Sequence, residues 1–511
     1  MKKQYNNPVL PGFHPDPSVI RVGEDYYMVN STFQYFPAIT ISHSKDLVNW
    51  EYIGHAITEN EYLDLTGIYD SHGIWAPDIS YYEGTYYIFV TLRLNGDDGE
   101  IRQNLVMTSQ RPEGPYSKPI ILDRNDGMDP SHFIDDDGTH YMVVHPGVRI
   151  MKLNDECTEV VEGPITLWEG TGREAPEGPH LLKKGEYYYA ILAEGGTGYG
   201  HCITVARSKN LLGPYEPCPF NPVHTQKDPE AKLQRAGHGK LVQTQNGEWW
   251  VTYLGGRTNE GRYTTLGRET FLDPVQWTED GWFTVNEGKG PSEQQYRPNL
   301  PEVTYPDLYF DDFDEEKLGL QWEFVRNPDK EFSLTERPGY ARIWTQAPDL
   351  NTIQARNTLV RREQHHHYEA TVKMEFDPSH VGQQAGLTCY YDTRCFIKFY
   401  LTYDDGLKIK LMESRATNHK EIAAVGGITQ KSIYLKVRVE KQTRHFMYSY
   451  DNVVWYHVGT IEDCSFLSDE GTGIRKAHTG TLVGLYANHG ISNKRIAADF
   501  DWFKYEPLDN I

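Results

Sequence analysis

Five stretches of the sequence repeat one pattern, a glycine, a short spacer and an aromatic-rich apolar run, and they decide the fold. They are GEDYYMV at 23–29, GTYYIFV at 84–90, GTHYMVV at 138–144, GEYYYAI at 185–191 and GEWWVTY at 247–253. The landmark aromatics Tyr27, Tyr87, Tyr141, Tyr188 and Trp250 are 60, 54, 47 and 62 residues apart. An element that recurs at this spacing predicts an array of similar structural units.

Each repeated glycine follows a short strand-like run, from PSVIRV at 17–22 to GKLVQTQN at 239–246, so each unit begins as a hairpin. Further β-rich segments between the hairpins bring each unit to about four strands in roughly 50 residues, the scale of a propeller blade. We therefore predict a five-bladed β-propeller over residues 1–300, the catalytic domain. A β-sandwich with accidental aromatic pairs is the alternative, and five matches disfavour it.

The texture changes after Pro291, through the polar connector SEQQYRPNLPEVTYP at 292–306. Alternating strand patterns then continue without the repeat, as in HHHYEATVKMEF at 365–376. They predict a second all-β domain over 301–511, an accessory β-sandwich of the concanavalin or lectin-like kind. The run His365, His366, His367 lies in a predicted strand, where neighbouring side chains point to opposite faces, so the three cannot all bind one ion.

Composition excludes several classes of function. The 511 residues carry 50 Lys and Arg against 72 Asp and Glu, a formal charge of −22, which disfavours nucleic acid and anionic lipid as partners. Aromatic residues make up 13%, which suits stacking on sugar faces. No run of about 18 apolar residues occurs and the start lacks a signal-peptide core, so we expect a soluble, cytoplasmic protein. Six scattered cysteines are expected to be free thiols.

Polar residues precede the first strand of every repeat. Alignment on the glycines places Asp16, Asp78, Asp129, Glu177 and His238 at corresponding positions. Because the first strand of each blade lines the central channel, we expect these side chains to converge at one end of the axis. Crowded carboxyl groups can hold one acid ionised and another protonated, as cleavage of a glycosidic bond requires. A single Asp at such a turn can equally bond backbone amides.

The motifs around these residues carry a family resemblance. HPDPS at 14–18, HGIWAPD at 72–78, GMDPSHF at 127–133, EAPEGPH at 174–180 and TTLGRETFL at 264–272 resemble glycoside hydrolase family 43, in particular β-xylosidases with a C-terminal β-sandwich. The resemblance implies an inverting mechanism in which Asp16 is the general base, Glu177 the general acid and Asp129 the residue that orients and tunes that acid. Asp78 matches no catalytic position of the family and is interpreted as structural, bonding backbone amides at its turn.

The resemblance also implies substrate-binding residues. Arg268 matches an arginine that bonds sugar hydroxyls, and a surface ion pair is its alternative. Phe33 and Trp75 match aromatics that wall the terminal sugar subsite, with a core role as the alternative. His238 matches a histidine beneath the pocket, which in some members belongs to a central calcium or water site, with a satisfied core histidine as the alternative. Calcium near His238 therefore stays open, but no obligatory metal or cofactor is expected, since paired carboxylates need none.

The function implied is an exo-acting β-1,4-xylosidase of xylan degradation, which releases xylose from the non-reducing ends of xylo-oligosaccharides or arabinoxylo-oligosaccharides. One alternative is α-L-arabinofuranosidase activity, alone or alongside the first, because the two sugars overlay closely in a pocket. Another, of a different class, is a non-catalytic carbohydrate-binding propeller. Assembly into a homo-oligomer, with subunit contacts through the sandwich, is left open.

Overall fold

The computed structural model describes residues 3–96, 101–124, 127–473 and 476–508. Within these ranges the chain is β-structure apart from three short 3-10 helices, Glu260–Arg262, Asn286–Gly288 and Gly490–Ser492. The predicted fold class is confirmed, because five separate four- or five-stranded sheets are followed by two larger, packed sheets. In the described part of the chain no helix has the length and apolar character to cross a membrane.

The five small sheets are the blades of the propeller, and each is an antiparallel meander. Blade 1 consists of Ser18–Val22, Asp25–Asn30, Ala38–Ser44 and Glu51–Ile57. Blade 2 consists of Gly73–Tyr82, Thr85–Leu94, Ile101–Ser109 and Ile120–Arg124. Blade 3 consists of Ser131–Ile134, His140–Val144, Val148–Leu153 and Val160–Trp168.

The remaining blades follow the same order. Blade 4 consists of Glu177–Lys184, Tyr187–Glu194, Cys202–Ser208 and Glu216–Pro217, with His224–Thr225 paired to its third strand. Blade 5 consists of Leu233–Gln243, Trp249–Arg257, Glu269–Trp277 and Phe283–Val285. The N-terminal strand Gln4–Asn6 pairs with Gln294–Tyr296, which follows blade 5, so the two ends of the propeller segment are joined by hydrogen bonds.

The repeated glycines make the blade hairpins possible. All five have a left-handed backbone conformation, with φ of 66° at Gly23, 87° at Gly84, 82° at Gly138, 61° at Gly185 and 89° at Gly247. At the four glycines other than Gly138 an added Cβ would meet nothing within 4 Å. At these four positions the backbone angle, and not lack of space, therefore requires glycine. Glycine alone among the residues adopts such angles without a steric penalty, which explains why the sequence repeats it.

The C-terminal domain is a sandwich of two antiparallel sheets around an apolar core. In order across the first sheet, its strands are Phe332–Ser333, Ala341–Trp344, Ala497–Pro507, His367–Phe376, Ser432–Glu440, Thr443–Ser449 and Trp455–Ile461, with Phe310–Asp311 also paired to Ala497–Pro507. The strands of the second sheet are Asn418–Val425, Leu407–Arg415, Phe396–Tyr403, Gln384–Tyr390, Leu482–Asn488, Leu359–Arg362, Glu323–Val325 and Tyr35–Phe36. All six cysteines of the chain are buried free thiols, as predicted.

The last strand of that second sheet comes from the propeller segment. Tyr35–Phe36 lies between the second and third strands of blade 1 and pairs with Glu323–Val325 of the sandwich. An apolar cluster shared by both domains surrounds it, formed by Phe13, Phe33, Tyr35, Val325, Leu350, Val360, Tyr390, Phe396, Tyr400, Leu482 and Tyr486. The two domains therefore pack through a continuous apolar interface at the same loop that carries Phe33.

Candidate active site

A cavity of about 230 Å³ lies where the first strands of the blades meet the sandwich. It is lined by Asp16, Phe33, Trp75, Met128, Asp129, Glu177, Thr197, His238, Arg268 and His478. All seven residues predicted for catalysis or substrate binding are in this set. The propeller accounts for their convergence, because each comes from the start of a blade strand or from a loop beside it.

Asp16 is held as a buried, ionised carboxylate. Its Oδ2 accepts a 2.5 Å hydrogen bond from Ser31 Oγ, and its Oδ1 accepts one of 3.2 Å from Arg268 Nη1. Burial favours the neutral acid, but the Arg268 charge, the nearby His238 and the Ser31 bond outweigh burial and hold the pKa of Asp16 below its usual value. An ionised carboxylate can accept a proton from a water molecule that lies within hydrogen-bond distance of it.

Ser31 fixes the orientation of that carboxylate. Its hydroxyl accepts a 2.6 Å bond from the backbone N–H of Ala76 in blade 2 while it donates to Asp16. Asp16 itself has a left-handed φ of 53°, an uncommon conformation for a residue with a side chain. Strain of this kind persists where surrounding contacts enforce it, and here the contacts come from two blades.

Glu177 has the opposite protonation preference. Burial, followed by the charges of Asp129 and Asp16, raises the pKa of Glu177 to about 8, although Arg268 acts in the other direction. The group is therefore protonated at neutral pH and can donate a proton. One pocket thus holds an acid and a base whose pKa values are separated by their surroundings, the arrangement that acid–base hydrolysis needs.

Asp129 positions Glu177 through the backbone as well as through its charge. Its Oδ2 accepts a 3.0 Å bond from the N–H of Gly178, the residue directly after Glu177. Its own N–H donates to Thr91 Oγ1 in blade 2 at 2.9 Å. Asp129 therefore joins the first strands of blades 3 and 4 at the cavity, and any shift of its carboxylate moves the start of the Glu177 strand.

His238 forms part of the cavity floor. Its ring lies against Gly178, where an added Cβ would come within 2.9 Å of three ring atoms. Its Nδ1 is 3.7 Å from Asp16 Oδ1. The ring therefore lies between the strand that carries Glu177 and the carboxylate of Asp16.

Arg268 connects the cavity to the sandwich. Besides the bond to Asp16, its Nη2 donates to the backbone oxygen of His478 at 3.2 Å. The propeller segment and the sandwich loop approach each other very closely here. A Cβ added to Gly480 would lie 2.4 Å from Leu266 O, and one added to Gly267 would lie 2.6 Å from the Gly480 Cα. Glycine at these two positions lets a sandwich loop reach the catalytic groups.

Phe33 and Trp75 form the aromatic side of the cavity, with ring centroids 5.9 Å apart. The Trp75 Nε1 donates to Ser71 O at 2.9 Å, and Arg93 lies 4.4 Å from the centroid of its ring. Phe33 is also part of the interdomain cluster, so it serves both as wall and as core. The two interpretations offered by the sequence are thus not exclusive for Phe33.

Asp78 is buried but is not among the residues that line the cavity. It accepts from Ser18 Oγ at 2.7 Å, from Lys240 Nζ at 2.5 Å and from the N–H of His132 at 2.8 Å. These partners belong to blades 1, 5 and 3, so Asp78 ties blades together. The amide that it bonds belongs to the next blade and not to its own turn. Ala76, two residues before Asp78 in blade 2, has a left-handed φ of 42°, similar to the φ of 53° at Asp16 in front of blade 1.

Three lining residues escaped the sequence analysis: Met128, Thr197 and His478. Met128 adjoins Asp129 in the GMDPSHF motif and could have been inferred from it. Thr197 lies in the glycine-rich loop after the second strand of blade 4, which carries no repeat signal. His478 is more than 200 residues from the catalytic motifs, and no pattern in the sequence points to it.

Comparison with known proteins is consistent along the whole chain. Residues 5–283 match the family model "Glycosyl hydrolases family 43", and residues 310–506 match "Beta xylosidase C-terminal Concanavalin A-like domain". A putative beta-xylosidase of Escherichia coli is 36% identical over 540 residues, covering 99% of this chain and all of that protein. A non-reducing end alpha-L-arabinofuranosidase of Bacteroides ovatus is 36% identical over 523 residues, covering 99% and 96%.

Solved structures agree with these matches. The GH43 protein BlXynB from Bacillus licheniformis superposes with a TM-score of 0.97 at 60% identity, covering 99% of this chain and all of that one. A xylan beta-1,4-xylosidase from a Bacillus species superposes with a TM-score of 0.93 at 38% identity, covering 98% and 99%. The similarity extends over both domains.

Proposed function

The chain belongs to glycosyl hydrolases family 43, and from this premise we propose that it is an exo-acting β-1,4-xylosidase that works by inversion. The observation that carries the proposal is the pair of carboxyl groups in one cavity, Asp16 with a lowered pKa and Glu177 with a pKa of about 8. Proteins named as xylosidases are similar to this chain over both of its domains, and they support xylose as the sugar that is released.

In the proposed reaction Glu177 donates its proton to the glycosidic oxygen as the bond to the anomeric carbon breaks. Asp16 takes a proton from a water molecule whose oxygen attacks that carbon from the opposite face. Arg268 keeps Asp16 ionised, and Asp129 keeps Glu177 protonated and in place. Return of one proton to Glu177 and release of one from Asp16 restore the enzyme.

The cavity volume supports exo action. At about 230 Å³ it is smaller than the roughly 300–1,000 Å³ usual for small-molecule sites, and His478 of the sandwich forms part of its wall. A site of this size suits the terminal sugar unit of a chain. We propose xylo-oligosaccharides and arabinoxylo-oligosaccharides as the substrates that enter it.

A calcium ion near His238 is not part of the proposed mechanism. Calcium takes six to eight oxygen ligands, whereas Asp16 beside His238 already accepts from Ser31 and Arg268. The neighbouring His201 is buried, and burial lowers the pKa of its imidazole to about 3, so it is a neutral nitrogen donor. These groups offer mainly nitrogen and positive charge, which do not fit calcium. Cytoplasmic location and assembly of subunits stay predictions.

The test is hydrolysis of xylobiose by Asp16→Ala and Glu177→Ala, with Asp136→Asn on the exposed turn of blade 3 as the matched control. We expect losses of about 10³-fold or more in kcat/KM for both acid variants and none for the control. Glu177→Ala should recover relative activity on aryl xylosides with very acidic leaving groups, which need little protonation. Near-normal turnover of xylobiose by both variants would refute the assignment.

Two further measurements separate the alternatives. Proton NMR of the first product formed should show α-xylose, the inverted anomer, and β-xylose as first product would exclude inversion. Turnover of aryl xyloside against aryl arabinofuranoside decides between xylosidase and α-L-arabinofuranosidase activity, which a relative of this chain carries in its name. Turnover of either glycoside eliminates the non-catalytic sugar-binding alternative.

A further inference from the structure

Two histidines and a cysteine gather inside blade 3, apart from the residues that line the cavity. His132 lies on the first strand, His140 on the second, and Cys157 in the turn that follows the third strand, Val148–Leu153. His132 is paired with Met142 and Ile134 with His140, so the two imidazoles are diagonal neighbours on one face of the hairpin. All three side chains are buried.

The three ligand atoms have nearly the separations of a tetrahedral zinc site. His132 Nε2 is 3.0 Å from His140 Nδ1, a hydrogen bond between the two imidazoles, and 3.8 Å from Cys157 Sγ. One ligand atom from each of the three residues lies within 4.8 Å of the other two. Zinc bond lengths of about 2.0 Å to nitrogen and 2.3 Å to sulfur place tetrahedral nitrogens about 3.3 Å apart and nitrogen and sulfur about 3.6 Å apart. The observed nitrogen–nitrogen and nitrogen–sulfur distances therefore agree with those of a tetrahedral zinc site within a few tenths of an ångström.

Contacts around the cluster hold the ligands in this arrangement. Ser80 Oγ of blade 2 is 2.6 Å from His132 Nδ1, which leaves Nε2 facing the other two groups. Phe89 lies 4.6 Å from the His132 ring and Tyr82 lies 5.2 Å from the His140 ring, centroid to centroid. The cluster is thus enclosed by aromatic rings, and its imidazoles have little freedom to turn away.

The backbone at Cys157 is a second, independent feature. Its φ of 57° is left-handed, and its N–H donates to Asn154 O at 3.0 Å, which closes a tight turn. A cysteine seldom adopts this conformation, whereas glycine or asparagine does so readily. The turn directs the thiol toward the two imidazoles.

We propose that blade 3 binds one zinc ion through His132 Nε2, His140 Nδ1 and Cys157 Sγ, with a water molecule as fourth ligand. Two imidazoles and a thiolate suit this borderline metal. On binding, the hydrogen bond between His132 Nε2 and His140 Nδ1 breaks, and the imidazole that donated it carries its proton on its other ring nitrogen. The thiol of Cys157 loses its proton to solvent, and the sulfur and the two freed nitrogens form the bonds to zinc. The ion joins the turn after the third strand to the first hairpin, so its role is to stabilise the blade.

The test uses full-length protein purified without a metal-affinity column, stripped by a chelator and titrated with Zn²⁺ against a chromophoric competitor. We expect one zinc per chain with a dissociation constant of about 1 µM or tighter and a thermal midpoint that rises by about 2 °C or more. Co²⁺ in place of zinc should give a thiolate-to-cobalt charge-transfer band in the near ultraviolet, a readout that needs no variant.

Variants locate the site. Cys157→Ser and His140→Gln should each lose the zinc equivalent, whereas Cys218→Ser, which removes another buried thiol, should keep it. The histidine run at 365–367 could hold a metal ion weakly through one or two of its side chains, so His367→Gln serves as a second control. Loss of the equivalent in His367→Gln but not in Cys157→Ser would overturn the proposal. So would wild-type binding weaker than about 10 µM or a cobalt spectrum without the sulfur band.

Discussion

Replacement of Asp129 by Asn tests how the pKa of Glu177 is set. The asparagine keeps an oxygen that can accept from the Gly178 N–H, so the 3.0 Å bond to the start of the Glu177 strand is preserved. What disappears is the negative charge, which after burial is the largest cause of the raised pKa of Glu177. The substitution therefore separates the electrostatic effect of Asp129 from its structural one.

The direction follows from the protonation that catalysis needs. In the proposed mechanism Glu177 must be protonated, so kcat/KM should fall as pH rises through its pKa, at about 8 in the native protein. Without the nearby charge, ionisation of Glu177 costs less and its pKa falls, by roughly one unit for a neighbouring carboxylate. The basic limb of the profile then moves to about pH 7, and at pH 8 the protonated fraction falls from about a half to about a tenth.

The assay is kcat/KM for xylobiose from pH 5 to pH 9, with each protein scaled to its own maximum. Asp136→Asn removes a carboxylate on the same blade, at an exposed position, and should leave the limb at about pH 8. An aryl xyloside with a very acidic leaving group should lose the basic limb in both proteins. A limb in Asp129→Asn that stays at about pH 8 or moves upward would refute the reasoning.

Three other substitutions have outcomes set by the geometry. Arg268→Met removes the charge that holds the pKa of Asp16 down against burial, so the acidic limb of kcat/KM should move to higher pH, measured with an activated aryl xyloside. Gly480→Ala forces the sandwich loop back by about 1 Å and should lower kcat/KM by about 10²-fold, because the added Cβ meets backbone at 2.4 Å. Asp469→Asn breaks a buried ion pair with Arg235 and should lower the free energy of unfolding by about 3 kcal/mol, measured by urea denaturation.

Matched controls accompany them. Gly426→Ala adds a methyl group on the sandwich where an added Cβ has contacts only at 4.0 Å, and Asp463→Asn neutralises an exposed carboxylate. Both should change activity and stability little, within about 0.5 kcal/mol for stability. Gly480→Ala with normal kcat/KM would show that the loop does not position Arg268, and an unmoved acidic limb in Arg268→Met would remove that arginine as the cause of the Asp16 pKa.

The blades and the acids could be predicted because their signals are local. Each hairpin has its own glycine and its own aromatic strand, and five copies reinforce one another. Asp16, Asp129 and Glu177 precede strands that the repeat had already located, so their convergence followed from the architecture. Asp78 shows the limit of that approach, because its place in the repeat predicts a side chain at the cavity, whereas the side chain contacts Lys240 and does not line the cavity.

That the sandwich packs on the propeller and contributes to the pocket rim could be expected from the sequence, but the particular contacts could not, for a different reason. Entry of Tyr35–Phe36 into the second sandwich sheet and the contact of Gly267 with Gly480 join segments that are distant in sequence. Such contacts depend on the shapes of two finished domains, and no local pattern encodes them. The same holds for His132, His140 and Cys157, whose spacing of 8 and 17 residues resembles no metal motif.

By itself the sequence determined the five blades and the second β-domain, because periodicity and turn chemistry act over a few residues. It also located Asp16, Asp129 and Glu177 before blade strands, whereas their catalytic roles are implied by the family resemblance and stay predictions. Tertiary structure alone decided the electrostatics: which carboxyl group is ionised and which holds its proton. That difference arises from burial, from Arg268 reaching Asp16 across 252 residues of chain, and from a pocket wall that the other domain supplies. Charge interactions depend on the distances between charged groups, and these distances are fixed only when both domains have folded and packed together.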